Sequence, residues 1–248
     1  MLEILRYEIY GIFDSLLTIL MHYKHIYLLV ALWMAFVTKS FSQRGNYPIT
    51  NGISITGAVT KYNIVTNNFA TEQTTGFLGG FSATVDIPLR WYNISFGMQL
   101  SENHINISGR PAVISSENDF IDYKLFAAQV ALLGHIKIIE NHVTIDVGPM
   151  LQYNGKLELN DALQESFYIN NYNNLSASDI TNISQFNING AIGASAGLDF
   201  LKLKVQYIYG FTNILKKLNT QNLDTSGNSN PSFKGNQSML VLAAMVSF

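Results

Sequence analysis

The sequence contains no cysteine, which removes disulfides, thiolate metal sites and a lipidated N-terminal cysteine together. Charge is scarce too: 13% of residues are Asp, Glu, Lys or Arg, against 48% hydrophobic and 12% aromatic. With a formal net charge of −2, there is no basic footprint for nucleic acid. Also missing is an apolar run long enough to cross a bilayer as a helix. The longest, residues 26–37 (IYLLVALWMAFV), has twelve residues, where about 20 are needed. A chain this apolar and thinly charged is not adapted to water alone. In lipid every backbone N–H and C=O must be satisfied internally, either by long helices or by a closed barrel.

The short apolar run has another use. Basic residues around Lys24 precede it and Ser40-Phe41-Ser42 follow it, giving the three regions of a secretory leader with cleavage after Ser42. Residues 1–20 carry Glu3, Glu8 and Asp14, which a leader's first region should not, so translation is expected to start at Met21. The other reading of this stretch is a genuine N-terminal helix. Residues 1–42 are thus an upstream extension plus leader, and residues 43–248 the working domain. Removing the former takes away Arg6, Lys24 and Lys39 with the three acids, leaving the net charge at −2.

What the working domain does have is a period of two, the mark of a strand with one greasy and one polar face. Over residues 91–102, Tyr92, Ile94, Phe96, Met98 and Leu100 alternate with Asn93, Ser95, Gly97, Gln99 and Ser101. Residues 142–152 repeat this with Val143, Ile145, Val147, Pro149 and Leu151, and residues 185–200 extend it from Phe186 to Phe200. Weaker copies lie at 53–59, 77–87 and 203–211, and a last one at 236–248 ends on Phe248. Residues 120–138 break the rule, because Ile121, Tyr123 and Leu125 share one phase and Val130, Leu132, Ile136 and Ile138 the other. The slip suggests a β-bulge near 127–129, or a strand that outruns the membrane. These make eight strands.

Their connections alternate in length. Short turns fall at 88–90, 139–141 and 201–202, and long polar loops at 63–74, 103–119, 154–184 and 213–235. Outer-membrane barrels combine an even strand number with short periplasmic turns and long extracellular loops. The expected fold is therefore all-β, an eight-stranded antiparallel up-and-down transmembrane barrel in the outer membrane, with both termini periplasmic and outer-membrane lipid around it. The Asn-rich loops are expected to stay solvated. An eight-stranded lumen is just wide enough for side chains. Asp86, Lys124, Asp146, Asp199, Lys204 and Gln206 are candidates for a paired network inside it, with Gly80, Gly97, Gly148, Gly193 and Gly197 making room. Trp91, Tyr92, Phe200 and Phe248 would form a periplasmic aromatic girdle. A soluble ligand-binding barrel would invert this pattern, and these small, glycine-rich polar faces would coat it poorly.

Ile192-Gly193-Ala194-Ser195-Ala196-Gly197-Leu198-Asp199-Phe200, followed by residues 207–214 (YIYGFTNI), resembles the penultimate hairpin of PorT-like outer-membrane barrels of the Bacteroidetes. Val147-Gly148-Pro149 and the end of the leader are similar too. The chain departs from that family's usual proline-containing fourth strand with Leu125-Phe126-Ala127-Ala128. The resemblance implies a part in the type IX secretion machinery. The filled lumen and long loops are read as those of a binding, assembly or structural component of the cell envelope, with envelope or secretion-machinery proteins as partners.

No motif requires a cofactor. Among histidines of the working domain, His104 falls in an expected extracellular loop beside Ser101 and Glu102. It is the one handle for the rival reading, a barrel enzyme acting on lipid A or peptides at its outer rim. His135 and His142 flank an expected short turn, and without a third ligand they make a poor metal pair. The glycines at 190–197 lie inside an alternating strand with no helix after them, which is not the setting of a dinucleotide loop. No catalytic, cofactor or metal residue is assigned, and the chain is read as a non-enzyme.

Overall fold

The computed structural model describes residues 50–248 apart from 88 and 116. The expected start, leader and cleavage site lie outside the described residues. No helix among them is long and apolar enough to cross a membrane, and alternation governs instead. The strands are β1 (Thr50–Thr66), β2 (Thr71–Asp86), β3 (Tyr92–Arg110), β4 (Asp119–Ile139), β5 (Val143–Leu159), β6 (Tyr168–Ile169), β7 (Phe186–Gly197), β8 (Leu201–Gly210) and β9 (Gly235–Ser247). All but the two-residue β6 form an antiparallel ring in chain order, closed by pairing of β1 with β9.

The register sets the shape of that ring. Following paired residues once around, Asn51, Val85, Ile94, Gly134, Val147, Ile192, Tyr207 and Leu240 lead back to β1 at Lys61, ten residues further on. A stagger of that size over eight strands tilts them by roughly 40°. The interior is then only wide enough for side chains.

The strands outrun their expected ends toward the loops. The β1–β2 connection shrinks to residues 67–70 and the β3–β4 connection to 111–118, because alternation continues through 60–66, 103–110 and 119–126. What changes there is its sign. In the half nearer the short turns, Ser95, Gln129, Thr144, Asp146 and Gln152 point inward while Phe96, Val130, Ile145 and Leu151 point outward. Nearer the loops, Tyr62, Ile105, Ile107, Ile121, Tyr123 and Leu125 are buried inside, and Lys61, Glu102, His104, Asp122 and Lys124 take the outside. The apparent phase slip in 120–138 is this crossover. β4 alternates without interruption from Ile121 to Leu133, so the second expectation holds: the strand runs beyond the apolar belt. Near 127–129 the extra residue lies on the partner strand, where Leu125 faces Leu157 and Ala127 faces Asn154; β4 carries its own at Ile138, where Lys137 faces Thr144 and Ile139 faces Val143.

The outward apolar belt, from the level of Ile53 and Trp91 to that of Phe77, Tyr153 and Phe186, is roughly 25 Å tall at this tilt. At its short-turn edge Trp91 packs edge-on against Tyr92 at 5.1 Å, and Phe200 and Phe248 are exposed beside it. One expected turn moves: β7 stops at Gly197 and the connection is 198–200, not 201–202. Gly197 has φ +157°, and the Leu198 N–H donates to the Leu201 carbonyl.

Gly148 shows how tightly the strands approach. A Cβ there would stand 2.0 Å from the Leu132 carbonyl oxygen, whereas one at outward Gly79 would meet nothing within 4 Å. Gly148→Ala must push β4 from β5 and should lower unfolding stability by about 1–3 kcal/mol. Gly79→Ala should be neutral or mildly stabilising. Urea midpoints of the two folded variants check the contrast.

Candidate functional site

Successive hairpins carry three polar residues from β3, β4 and β5 to one level of the lumen. On β4, His135 pairs directly with Asp146 on β5 and with Asn93 on β3, two residues from Ser95. The His135 Nδ1 lies 2.7 Å from Asp146 Oδ1, and its Nε2 lies 2.7 Å from Ser95 Oγ. Thr144 Oγ1 donates to the same Asp146 oxygen at 2.7 Å and is 2.6 Å from Ser195 Oγ. Lys204 on β8 brings its ammonium to 3.3 Å from Asp146 Oδ2. Asp146 is fully buried, and a buried carboxylate persists only where cations and donors surround it. A second layer lies at the short-turn mouth, part-exposed: Lys137 donates to Asp86 at 2.8 Å, with Asn141 on the other carboxylate oxygen and Asn93 joined to Asn141.

Toward the loops the lumen is filled by amides. Gln152 accepts from Gln129 and Gln237 at 2.8 Å and from Asn189 at 2.9 Å. Thr60 donates to Asn103, which donates to Ser101. Between the charged and amide layers lies a cavity of about 40 Å³ bordered by Ser95, Gln99, His135, Lys204 and Gln206.

Of the expected luminal residues, Asp86, Asp146, Lys204 and Gln206 do face inward. Lys124 and Asp199 do not. Lys124 sits on the outer wall of β4 with its ammonium 5.2 Å from the Phe126 ring centre, because the crossover of faces gives this height of the outside to polar groups. Asp199 lies in the turn after β7, exposed.

The histidines are rearranged as well. His104 is not in a loop but on the outer wall of β3, 3.3 Å from Glu102 and 3.5 Å from Asp122. Ser101, its sequence neighbour, points into the lumen. His135 faces inward, whereas His142 is an exposed turn residue, so the two do not meet. Among the described residues no three His, Asp or Glu side chains converge on a metal position. Sequence reasoning placed Asp146 in the lumen but missed its union with Ser95 and His135. The parity of strands 91–102 and 142–152 already put Ser95 and Asp146 inside. What was lacking was the phase of His135, hidden by the change of sign along β4.

Above the amides the loops do not remain solvated, contrary to expectation. Ile169, Tyr172, Leu175, Ala177, Ile180 and Ile183 from one loop are buried, as are Ile214, Leu215, Leu218 and Phe233 from another. Together with the inward ends of β1, β3 and β4 they form one apolar cluster. Phe69, Tyr172 and Phe233, from three different loops, stand 5.8–6.0 Å apart. Burial raises the Tyr172 phenol pKa, partly offset by donation from Asn68. The asparagines act as clamps rather than as a solvated coat: Asn219 both donates to the Phe233 carbonyl and accepts from its N–H. Arg110, at the tip of β3, donates to the carbonyls of Ile169, Tyr172 and Asn173 and to the side chain of Asn170.

No protein-family model matches the sequence, and no curated protein matches it. Solved structures similar to it include the crystal structure of Ail, the attachment invasion locus protein of Yersinia pestis, with the heparin analogue sucrose octasulfate. That match has 10% identity, 80% of this chain and 99% of that chain, at a TM-score of 0.39. Ail in a phospholipid bilayer nanodisc matches at 9% identity over 80% of this chain and 100% of that one, with TM-score 0.37. The NanC porin matches at 9% over 79% and 100%, with TM-score 0.25. At such values nothing about ligand or role passes from those proteins to this chain.

Two substitutions separate the roles of these layers. Asp146→Ala strands the Lys204 and His135 partners and should cost about 3–5 kcal/mol. Lys204→Met, which leaves His135 and Thr144 on the carboxylate, should cost less. Denaturant unfolding ranks them. Arg110→Ala should leave the barrel's folded gel mobility unchanged but speed protease cutting within residues 160–185 at least several-fold, because four acceptors lose their shared donor.

Proposed function

We propose that this protein is an outer-membrane barrel that conducts nothing and holds a folded platform of loops at the cell surface, as a binding or assembly component of the envelope. The observation that carries this reading is the crossover of faces. Below it the wall is apolar outside and polar inside, and above it the reverse, which is the pattern of a wall that leaves hydrocarbon and enters water. Soluble proteins rarely expose a contiguous apolar patch above roughly 300–600 Å², and this belt encircles the whole barrel. Its height of roughly 25 Å suits an outer-membrane belt. The short-turn end, with both ends of the ring, is assigned to the periplasm and the loops to the outside.

The filled lumen argues against diffusion, since open pores come with about 16 to 18 strands. Clamped loops are suited to recognition, because a rigid surface loses little entropy when a partner docks. A part in secretion, as the PorT-like resemblance implies, is the finer form of this proposal; its support is limited to short sequence words. For a lipid A or peptide hydrolase working through His104, the imidazole's partners are the Glu102 and Asp122 carboxylates, and Ser101 points away into the lumen.

In planar bilayers the full chain is expected to give no stepwise conductance, and cross-linking in native membranes should capture a discrete partner through the loops. Steady ohmic steps would overturn the closed lumen. Recovery of secretion components would favour the finer reading.

A further inference from the structure

The luminal array does more than neutralise a buried acid. Ser95, His135 and Asp146 stand in the order hydroxyl, Nε2, Nδ1, carboxylate, at 2.7 Å for each link. This is the arrangement in which an imidazole takes a hydroxyl's proton while a carboxylate fixes its tautomer. Thr144 and Lys204 hold that carboxylate in place. An unused group faces the same space. Gln206 is 2% exposed, its Nε2 has no hydrogen-bond partner among the described residues, and it borders the cavity that Ser95 and His135 border. A buried amide donor left idle is costly unless a ligand or water uses it.

We propose that the Ser95–His135–Asp146 array is a nucleophilic site for short acyl esters that enter from the short-turn mouth, with Gln206 Nε2 and the Lys204 ammonium facing the acyl oxygen. Reach is given by His135, whose side chain keeps 13% exposure though it points inward, and by the partly exposed Thr84 and Met245 that border the cavity. Size is set by the cavity, about 40 Å³, which favours a short acyl group. In the first step Ser95 Oγ bonds to the carbonyl carbon and its proton passes to His135 Nε2. The tetrahedral oxyanion collapses, the ester C–O bond breaks, and the alcohol leaves with the proton from His135. Water then attacks the acyl-serine by the same route, releasing the acid and restoring Ser95. Gln206 acts on the oxyanion, and removing one such donor lowers acyl-transfer rates by about 10²–10³-fold.

The test uses the full chain, extracted in its folded, heat-modifiable form, and p-nitrophenyl acetate as the acyl donor, with peptide mass spectrometry as the readout. Ser195, a buried luminal hydroxyl 2.6 Å from Thr144 Oγ1 and without an imidazole, is the internal control within the same molecules. The expected result is acetyl on Ser95 at least ten-fold above Ser195. It should fall about 10²-fold or more in His135→Gln, which keeps hydrogen bonding but has no base. Equal labelling of both serines, an unmodified Ser95, or acetyl resting on His135 alone would each overturn the proposal. Because the wild-type comparison needs no variant, a misfolded mutant leaves it decided.

Discussion

Closure of the backbone ring is the constraint on which the rest of the molecule depends. An unpaired strand edge leaves backbone N–H and C=O groups without partners, and β1 and β9, the most distant strands among the described residues, pair to remove it. Their register from Ser54–Ser247 to Thr66–Gly235 fixes a stagger of ten residues around the ring. That number sets the tilt, the tilt sets the bore, and the bore leaves room for side chains and little else. Every luminal feature follows from having to fill so narrow a space.

Filling it takes three different chemistries at three heights. Charges lie near the short turns, amides at mid-height and aliphatic and aromatic groups under the loops. The order is not arbitrary. Where the outer wall faces hydrocarbon, the polar set of an alternating strand has nowhere to go but inside, and there it must pair with itself. Where the wall faces water, the same alternation can turn its apolar set inward, and an ordinary hydrophobic core becomes available. Loops 160–185 and 211–234 extend that core, and their asparagines, with Arg110, tie the chain across its top. The wall is thus apolar outside and polar inside below, and the reverse above, on continuous strands.

The charged layer is where structure and chemistry meet. A carboxylate buried as completely as Asp146 needs partners, and the fold supplies His135, Thr144 and Lys204 from three strands. Having been fixed by its carboxylate, the imidazole is oriented for a hydroxyl, and Ser95 is there. Requirements of stability alone assemble most of a nucleophile–base pair. The idle Gln206 donor, like the idle Gln99 carbonyl oxygen beside the same cavity, is not accounted for by stability alone.

Much of the fold was legible in residue order. A period of two, unbroken from Tyr92 to Leu100 and from Val143 to Leu151, determines strands whatever they pack against, and alternating short and long connections determine an up-and-down path. The luminal positions of Asp86, Asp146, Lys204 and Gln206 were legible for the same reason, since parity alone assigns a face. Parity cannot say which solvent meets that face. Lys124 and Ile121 to Leu125 therefore read as irregular, and His104 as a loop residue, until the height of each along the tilted wall was known. The burial of the Asn-rich loops, and the meeting of Ser95, His135 and Asp146, belonged to the tertiary structure alone. Alternation is a property of one strand, while stagger, height and convergence arise only when eight strands close on one another.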